Sequence, residues 1–176
     1  MAFKGKKIFL VGMMGVGKST LGKKLARLSA YDHIDTDQEI ERRVGKSINQ
    51  IFEEEGEEEF RKHEAAFYNA LLADERDLII STGGGFLTNL DSMDELLRYG
   101  ICVYIKAEPK FISSRIYKPN STRPLVNNSR SKEELEAHLS RLIEEREHQY
   151  AQAQVHVNAK DLDAQSLWES LKLILE

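Results

Sequence analysis

The chain has 176 residues, 41% of them hydrophobic and 31% charged, with a formal net charge of −4 at pH 7. A chain of this length is expected to form one domain spanning 1–176 that buries roughly two thirds of its unfolded surface. The mild acidity offers no basic field for nucleic acid, and no apolar stretch approaches the roughly 18 residues that a membrane span requires, so neither partner is expected. Past the basic start, the apolar run Ile8–Val11 breaks at glycine, too soon for the core of a signal peptide. One cysteine, Cys102, lies in an apolar run and can form no disulfide within the chain, which fits a buried small hydrophobe and a cytoplasmic location. No feature calls for association, and a monomer is expected.

Taken in chain order, strand-length apolar runs alternate with longer helical patterns. Ile8–Val11 predicts a buried strand, and Leu21, Leu25 and Leu28 recur behind it at helical spacing. A short strand around His33 and Ile34 leads into Asp35-Thr-Asp37. Two helical stretches follow, punctuated by Gly45 and Gly56. Leu78–Ile80 predicts another buried strand, halted by Gly83, Gly84 and Gly85. A helix around Met93–Leu97 precedes a fourth strand, Ile101–Ile105. Lys118–Ser131, with Pro119, Pro124 and several Asn and Ser residues, breaks the pattern as a mobile surface loop. A charged helix is expected over Glu133–Gln154, then a fifth strand at Val155–Val157. A final amphipathic helix would present Leu167, Leu171 and Ile174. Strands alternating with helices predict an α/β domain on a parallel sheet, because parallel neighbours need helical crossovers.

Gly12-Met-Met-Gly-Val-Gly-Lys18-Ser19 fits G-x-x-x-x-G-K-[ST] between a predicted strand and a predicted helix. Glycines let the backbone curl so that its N–H groups face phosphate oxygens, and the helix N-terminus adds attraction for the anion. Gly15, Val16, Gly17, Lys18, Ser19 and Thr20 are therefore the nucleotide-binding candidates. Lys18 can reach the β- and γ-phosphates, and the Ser19 hydroxyl can ligate Mg²⁺. A P-loop alone also suits GTPases, ATPases and motors. The short chain and the lack of an N-K-x-D guanine-reading motif leave small kinases.

Asp35 and Asp37, read as extended chain, would point to one side, where one carboxylate could hold Mg²⁺ through water and the other could accept a hydroxyl proton. An N-cap plus a surface acid is the other reading of that pair. The Gly83–Gly85 triplet would expose amides at the carboxyl edge of the sheet, or serve only as a permissive turn. Arg61, Arg123 and Arg146 are isolated arginines in mixed segments, each also explicable as a surface residue.

Five ordered blocks give the chain a wider likeness: Gly12–Thr20, Asp35-Thr-Asp37, Gly56–Glu64, Ser81–Gly85 and Thr122-Arg123-Pro124-Leu125. With a sixth, Arg146-Glu-His-Gln-Tyr150, the sequence resembles the shikimate kinase family along nearly its whole length. That resemblance implies a three-layer α/β/α P-loop kinase fold with a central five-stranded parallel sheet and a mobile lid. The core would be 1–117 and 132–176, the lid about 118–131 and the substrate-binding helices about 38–63. It implies transfer of the γ-phosphoryl group of ATP to the 3-hydroxyl of shikimate, with Mg²⁺. Lys18 would neutralise the transferring phosphate, Ser19 and Asp35 would serve the metal, and Asp37 would bind the acceptor hydroxyl and act as base. Arg61 and Arg146 would grip the carboxylate, Gly83, Gly84 and Gly85 would offer backbone contacts, and Arg123 would close over the phosphates with the lid. Arg115 and Lys160 are the matches for the family's basic residues near adenine. The strand ending at Thr82 lacks the acid that many P-loop proteins use for Mg²⁺, which leaves that task to Asp35. Two other readings compete: a gluconate kinase-like enzyme of the same fold, and a nucleotide-binding regulatory module without turnover.

Overall fold

A computed structural model describes residues 5–83, 86, 93–117, 129 and 131–175. Five strands form one sheet: β1 (Lys7–Val11), β2 (Asp32–Asp35), β3 (Leu78–Ser81), β4 (Gly100–Lys106) and β5 (Val155–Asn158). Their order is β2-β3-β1-β4-β5 and every pairing is parallel. Ile8 lies between Ile79 and Ile101, so β1 is the sheet's centre and is apolar on both faces. From β1 the chain moves to one side for β2 and β3, then crosses to the other for β4. That reversal opens a crevice at the carboxyl end of β1, where open α/β sheets bind ligands.

The helices are α1 (Lys18–Leu28), α2 (Thr36–Val44), α3 (Ile48–Glu54), α4 (Glu57–Ala73), α5 (Met93–Tyr99), α6 (Pro109–Ile116), α7 (Lys132–Tyr150) and α8 (Ala164–Leu175). None of them is long and apolar enough to cross a membrane. The buried core runs through Phe9, Leu10, Leu25, Ile40, Ile80, Val103, Leu139 and Leu171. Cys102 belongs to it, fully buried, and burial pushes its thiol up to about 12.

Some elements differ from the sequence pattern for identifiable reasons. β1 begins at Lys7, a residue whose charge argues against a buried strand. Its ammonium escapes the core by donating to the carbonyls of Asp74 (2.7 Å) and Arg76 (2.7 Å). The two helical stretches after β2 are three helices. Gly45, in the left-handed region, ends α2, and a Ser47–Gln50 capping box starts α3. The buried face of α8 is Leu167, Trp168 and Leu171, with the Trp168 ring 5.6 Å from Tyr31; Ile174 is exposed, as is Leu28 on α1. A stripe through 167, 168 and 171 continues to 175 rather than 174. The charged helix ends at Tyr150, and Ala151–Gln154 turns into β5. Of the expected lid, 118–128 and 130 lie outside the described residues, as do Gly84 and Gly85.

Candidate active site

At the carboxyl end of β1 a cleft of about 940 Å³ gathers side chains from the P-loop, α2, α3, α4, α6 and α7. Gly12 opens the loop with φ +134°, and a Cβ there would meet the Ile105 carbonyl oxygen at 2.6 Å. Strand β4 therefore crowds the loop so closely that only glycine fits. Gly17 forms the left-handed N-cap of α1 without a side-chain cap, which leaves the first amides of the helix facing the cleft. Val16 contributes backbone alone, because its side chain is buried in the core. Gly15, Gly17, Lys18, Ser19 and Thr20 all line the cleft.

Lys18 is buried and folds back over its own loop, donating to the carbonyls of Gly12 (2.7 Å) and Met13 (2.9 Å). Burial lowers its pKa to about 8, the charges of Asp37 and Asp35 partly offset this, and Arg146 adds to the depression. Four sequence-predicted groups thus act on one another across a single space.

Asp35 ends β2 and is the N-cap of α2, its Oδ1 accepting from the Gln38 amide at 3.3 Å. Its other oxygen accepts from the Ser19 hydroxyl at 2.5 Å. A hydroxyl and a carboxylate held together at a P-loop form the oxygen-rich donor set that a hard divalent cation prefers. Among the described residues no group of three or more His, Cys, Asp or Glu could hold a metal alone, so phosphate oxygens and water would complete the shell. Asp37 does not follow in extended chain: it sits in the first turn of α2. The turn nevertheless brings its carboxylate into the cleft, against Gly83, where a Cβ would lie 2.3 Å from Oδ1. The Gly83 amide donates to Thr36 Oγ1 at 2.8 Å, so what Gly83 offers here is the space that Asp37 fills.

Arg61, on α4, points into the same cleft with Nη1 donating to Glu64 (2.6 Å) and Nη2 to Glu57 (2.8 Å). Burial opposes its charge, and the Glu64 and Glu57 bonds outweigh that, so its pKa rises. Arg146, near the C-terminal end of α7, also lines the cleft, its Nη1 3.9 Å from Met13 Sδ. Arg115 reaches the loop as well: a Cβ on Gly17 would sit 3.7 Å from both of its terminal nitrogens. Lys160, by contrast, is exposed in the turn after β5 and is not among the lining residues. Arg123 lies outside the described residues.

The sequence patterns pass over several lining residues. Phe52 and Phe60 pack at 4.8 Å in the wall of the cleft, which Glu64 also lines. Glu64 follows Arg61 by three residues, the spacing of a helical ion pair, and that signal was present in the sequence. Arg141 and His138, on α7, carry no such signal.

Compared with known proteins, the chain matches the family model "Shikimate kinase" over residues 14–175. A shikimate kinase from Chlorobium limicola is 41% identical over 154 residues, covering 85% of this chain and 76% of the relative. The shikimate kinase structure from Bacteroides thetaiotaomicron superposes with a TM-score of 0.84 at 33% identity, over 97% of this chain and 98% of the other. One from Acinetobacter baumannii, solved in complex with shikimate, gives 0.82 at 36% identity over 99% and 96%. The three-layer α/β/α P-loop kinase fold carries a cleft lined by the P-loop, Asp35, Asp37, Arg61 and Arg146, and the chain belongs to the shikimate kinase family.

Proposed function

We propose that the chain transfers the γ-phosphoryl group of ATP to the 3-hydroxyl of shikimate, giving ADP and shikimate 3-phosphate. The observation that carries this reading is the meeting of Lys18, Asp35, Asp37 and Arg146 in the lining of one cleft. Lys18 leaves its two loop carbonyls for the phosphate oxygens, exchanging neutral acceptors for charged ones. Asp37 accepts the proton of the acceptor hydroxyl as the oxygen attacks phosphorus, the bond to the ADP oxygen breaks, and that oxygen keeps the electron pair. Arg61 and Arg146 take the acceptor's carboxylate from α4 and α7, each presenting a planar pair of donors. Ser19 and Asp35 fit Mg²⁺, which supplies neutralisation of the polyphosphate charge. Gly84 and Gly85 as backbone donors, Arg123 as the cation of a closing lid and Arg115 beside the nucleotide complete the expected set.

Two arginines directed into a cleft beside a carboxylate suit an acid that bears a hydroxyl. A cytoplasmic monomer is the setting that accords with the single buried cysteine. The test is coupled ADP release with ATP and Mg²⁺, comparing shikimate, gluconate and no acceptor. Shikimate-dependent turnover is expected. Equal turnover of gluconate would overturn the acceptor, and nucleotide binding without turnover on any acceptor would overturn the activity.

A further inference from the structure

Arg146 enters the cleft from α7 just before its last turn, and the residue after it binds the helix to the sheet. Glu147 accepts from Tyr104 Oη at 2.7 Å on one oxygen and from Lys106 Nζ at 2.8 Å on the other. Both donors belong to β4, two residues apart, so they stand on one face of that strand. Tyr104 is 2% exposed, whereas the Lys106 side chain is 61% exposed. The tyrosine bond is therefore the stronger restraint: an exposed ion pair is screened, while a buried hydroxyl has no water to turn to.

Two further contacts tie this turn down. The Tyr150 ring stacks on Tyr104 with centroids 5.0 Å apart, and the Arg146 side chain hydrogen-bonds Tyr150. Beyond the helix, Gln154 Oε1 accepts from the Cys102 amide at 2.6 Å, so the strand is gripped at both ends. Tyr104, Lys106 and Glu147 are absent from the residues lining the cleft.

We infer that Glu147 is a positioning residue: its carboxylate, held by Tyr104 and Lys106, sets the rotation of the C-terminal end of α7 and so the direction in which the adjacent Arg146 enters the cleft. This rests on Arg146 being a ligand of the acceptor carboxylate. Consecutive helical residues point about 100° apart, so a turn that rolls when Glu147 lets go of β4 swings Arg146 with it. Paired guanidinium–carboxylate bonds are directional, and functional groups need holding within about 0.5 Å and 10–20°.

The test uses the full chain and steady-state kinetics with shikimate and ATP varied separately, alongside thermal unfolding. Glu147→Ala should raise the shikimate KM about tenfold, with kcat and the ATP KM within about twofold. Glu147→Gln, which keeps an acceptor for Tyr104, should restore most of the loss. Tyr104→Phe should reproduce part of it, and decides the matter if Glu147→Ala fails to fold. In an Arg146→Ala background Glu147→Ala should add nothing, because its effect passes through that arginine. An unchanged shikimate KM in both Glu147→Ala and Tyr104→Phe, or an equal further rise in the Arg146→Ala background, overturns the positioning role alone. An Arg146→Ala variant with unchanged shikimate KM overturns the underlying reading of Arg146 and the inference with it.

Discussion

On the nucleotide side of the cleft the backbone does the shaping: Gly12 is squeezed against the Ile105 carbonyl, and Lys18 is seated on the carbonyls of Gly12 and Met13. On the acceptor side, side chains hold one another: Glu64 and Glu57 clasp Arg61, Asp37 fills the space over Gly83, and Glu147 ties α7 to β4. A backbone-built site changes little with sequence outside its few glycines. A side-chain-built site can be retuned one residue at a time. The first suits a ligand common to many enzymes, and the second suits the molecule that distinguishes this one.

If that division holds, substitutions on one side should leave the other intact. The largest effect is expected for Lys18→Ala, which removes the cation at the transferring phosphate and should lower kcat about a thousandfold. Retained activity would mean that the cleft's other cations carry the phosphate. Asp37→Asn should reduce kcat at least about a hundredfold while ATP affinity stays within a few-fold, read by isothermal calorimetry. A matching loss of ATP affinity would break the separation between the two sides. Arg146→Ala should raise the shikimate KM roughly ten- to a hundredfold and leave the ATP KM alone, because one charged hydrogen-bonding partner is worth about 1.5–3 kcal/mol.

Gly83→Ala probes the one described place where the acceptor side leans on backbone shape. The new methyl group would displace Asp37, and thermal unfolding should show a loss of about 1–3 kcal/mol together with reduced turnover. Full activity would mean that the helix start yields easily. The smallest effect concerns protonation. Burial lowers the Lys18 pKa to about 8, and a neighbouring phosphate favours the ammonium, so the phosphate-bound state has the higher pKa. Below about pH 8 the lysine is charged in both states and affinity is flat. Above it binding takes up a proton, and affinity falls as pH rises. Calorimetry of metal-free ADP should show Kd increasing severalfold between about pH 8 and pH 9. A flat profile would mean that Lys18 is better solvated than its burial indicates.

Local rules made the nucleotide side legible from the sequence, since a strand, a glycine-rich turn and a lysine at the helix start are adjacent in the chain. The order of strands and helices was legible for the same reason. Asp35 and Asp37 were recognisable as chemistry, and Asp35 is extended as expected, but Asp37 lies in the first turn of a helix. Asp35-x-x-Gln38 carries the spacing of a helix start, and that capping outweighs strand continuation. The meeting of Arg61 with Arg146 has no local signature, because a parallel sheet assembles them from distant segments. Lys160 shows the converse: a basic residue at the expected point in the chain remains exposed outside the cleft lining. On α8 the expected Leu167 and Leu171 are buried, whereas Ile174 is exposed and Trp168, which packs on Tyr31, joins the buried face.

The position of β1 has a consequence for how the chain is made. Ile8 is hydrogen-bond neighbour only to β3 and β4, at Ile79 and Ile101. During synthesis β1 and the loop behind it therefore precede both partner strands and wait for segments encoded far downstream. Every sheet contact is non-local, which slows folding relative to a helical bundle and leaves an unpaired hydrophobic edge open to association in the meantime. The phosphate-binding loop is thus translated well before the strands and helices that complete the cleft around it.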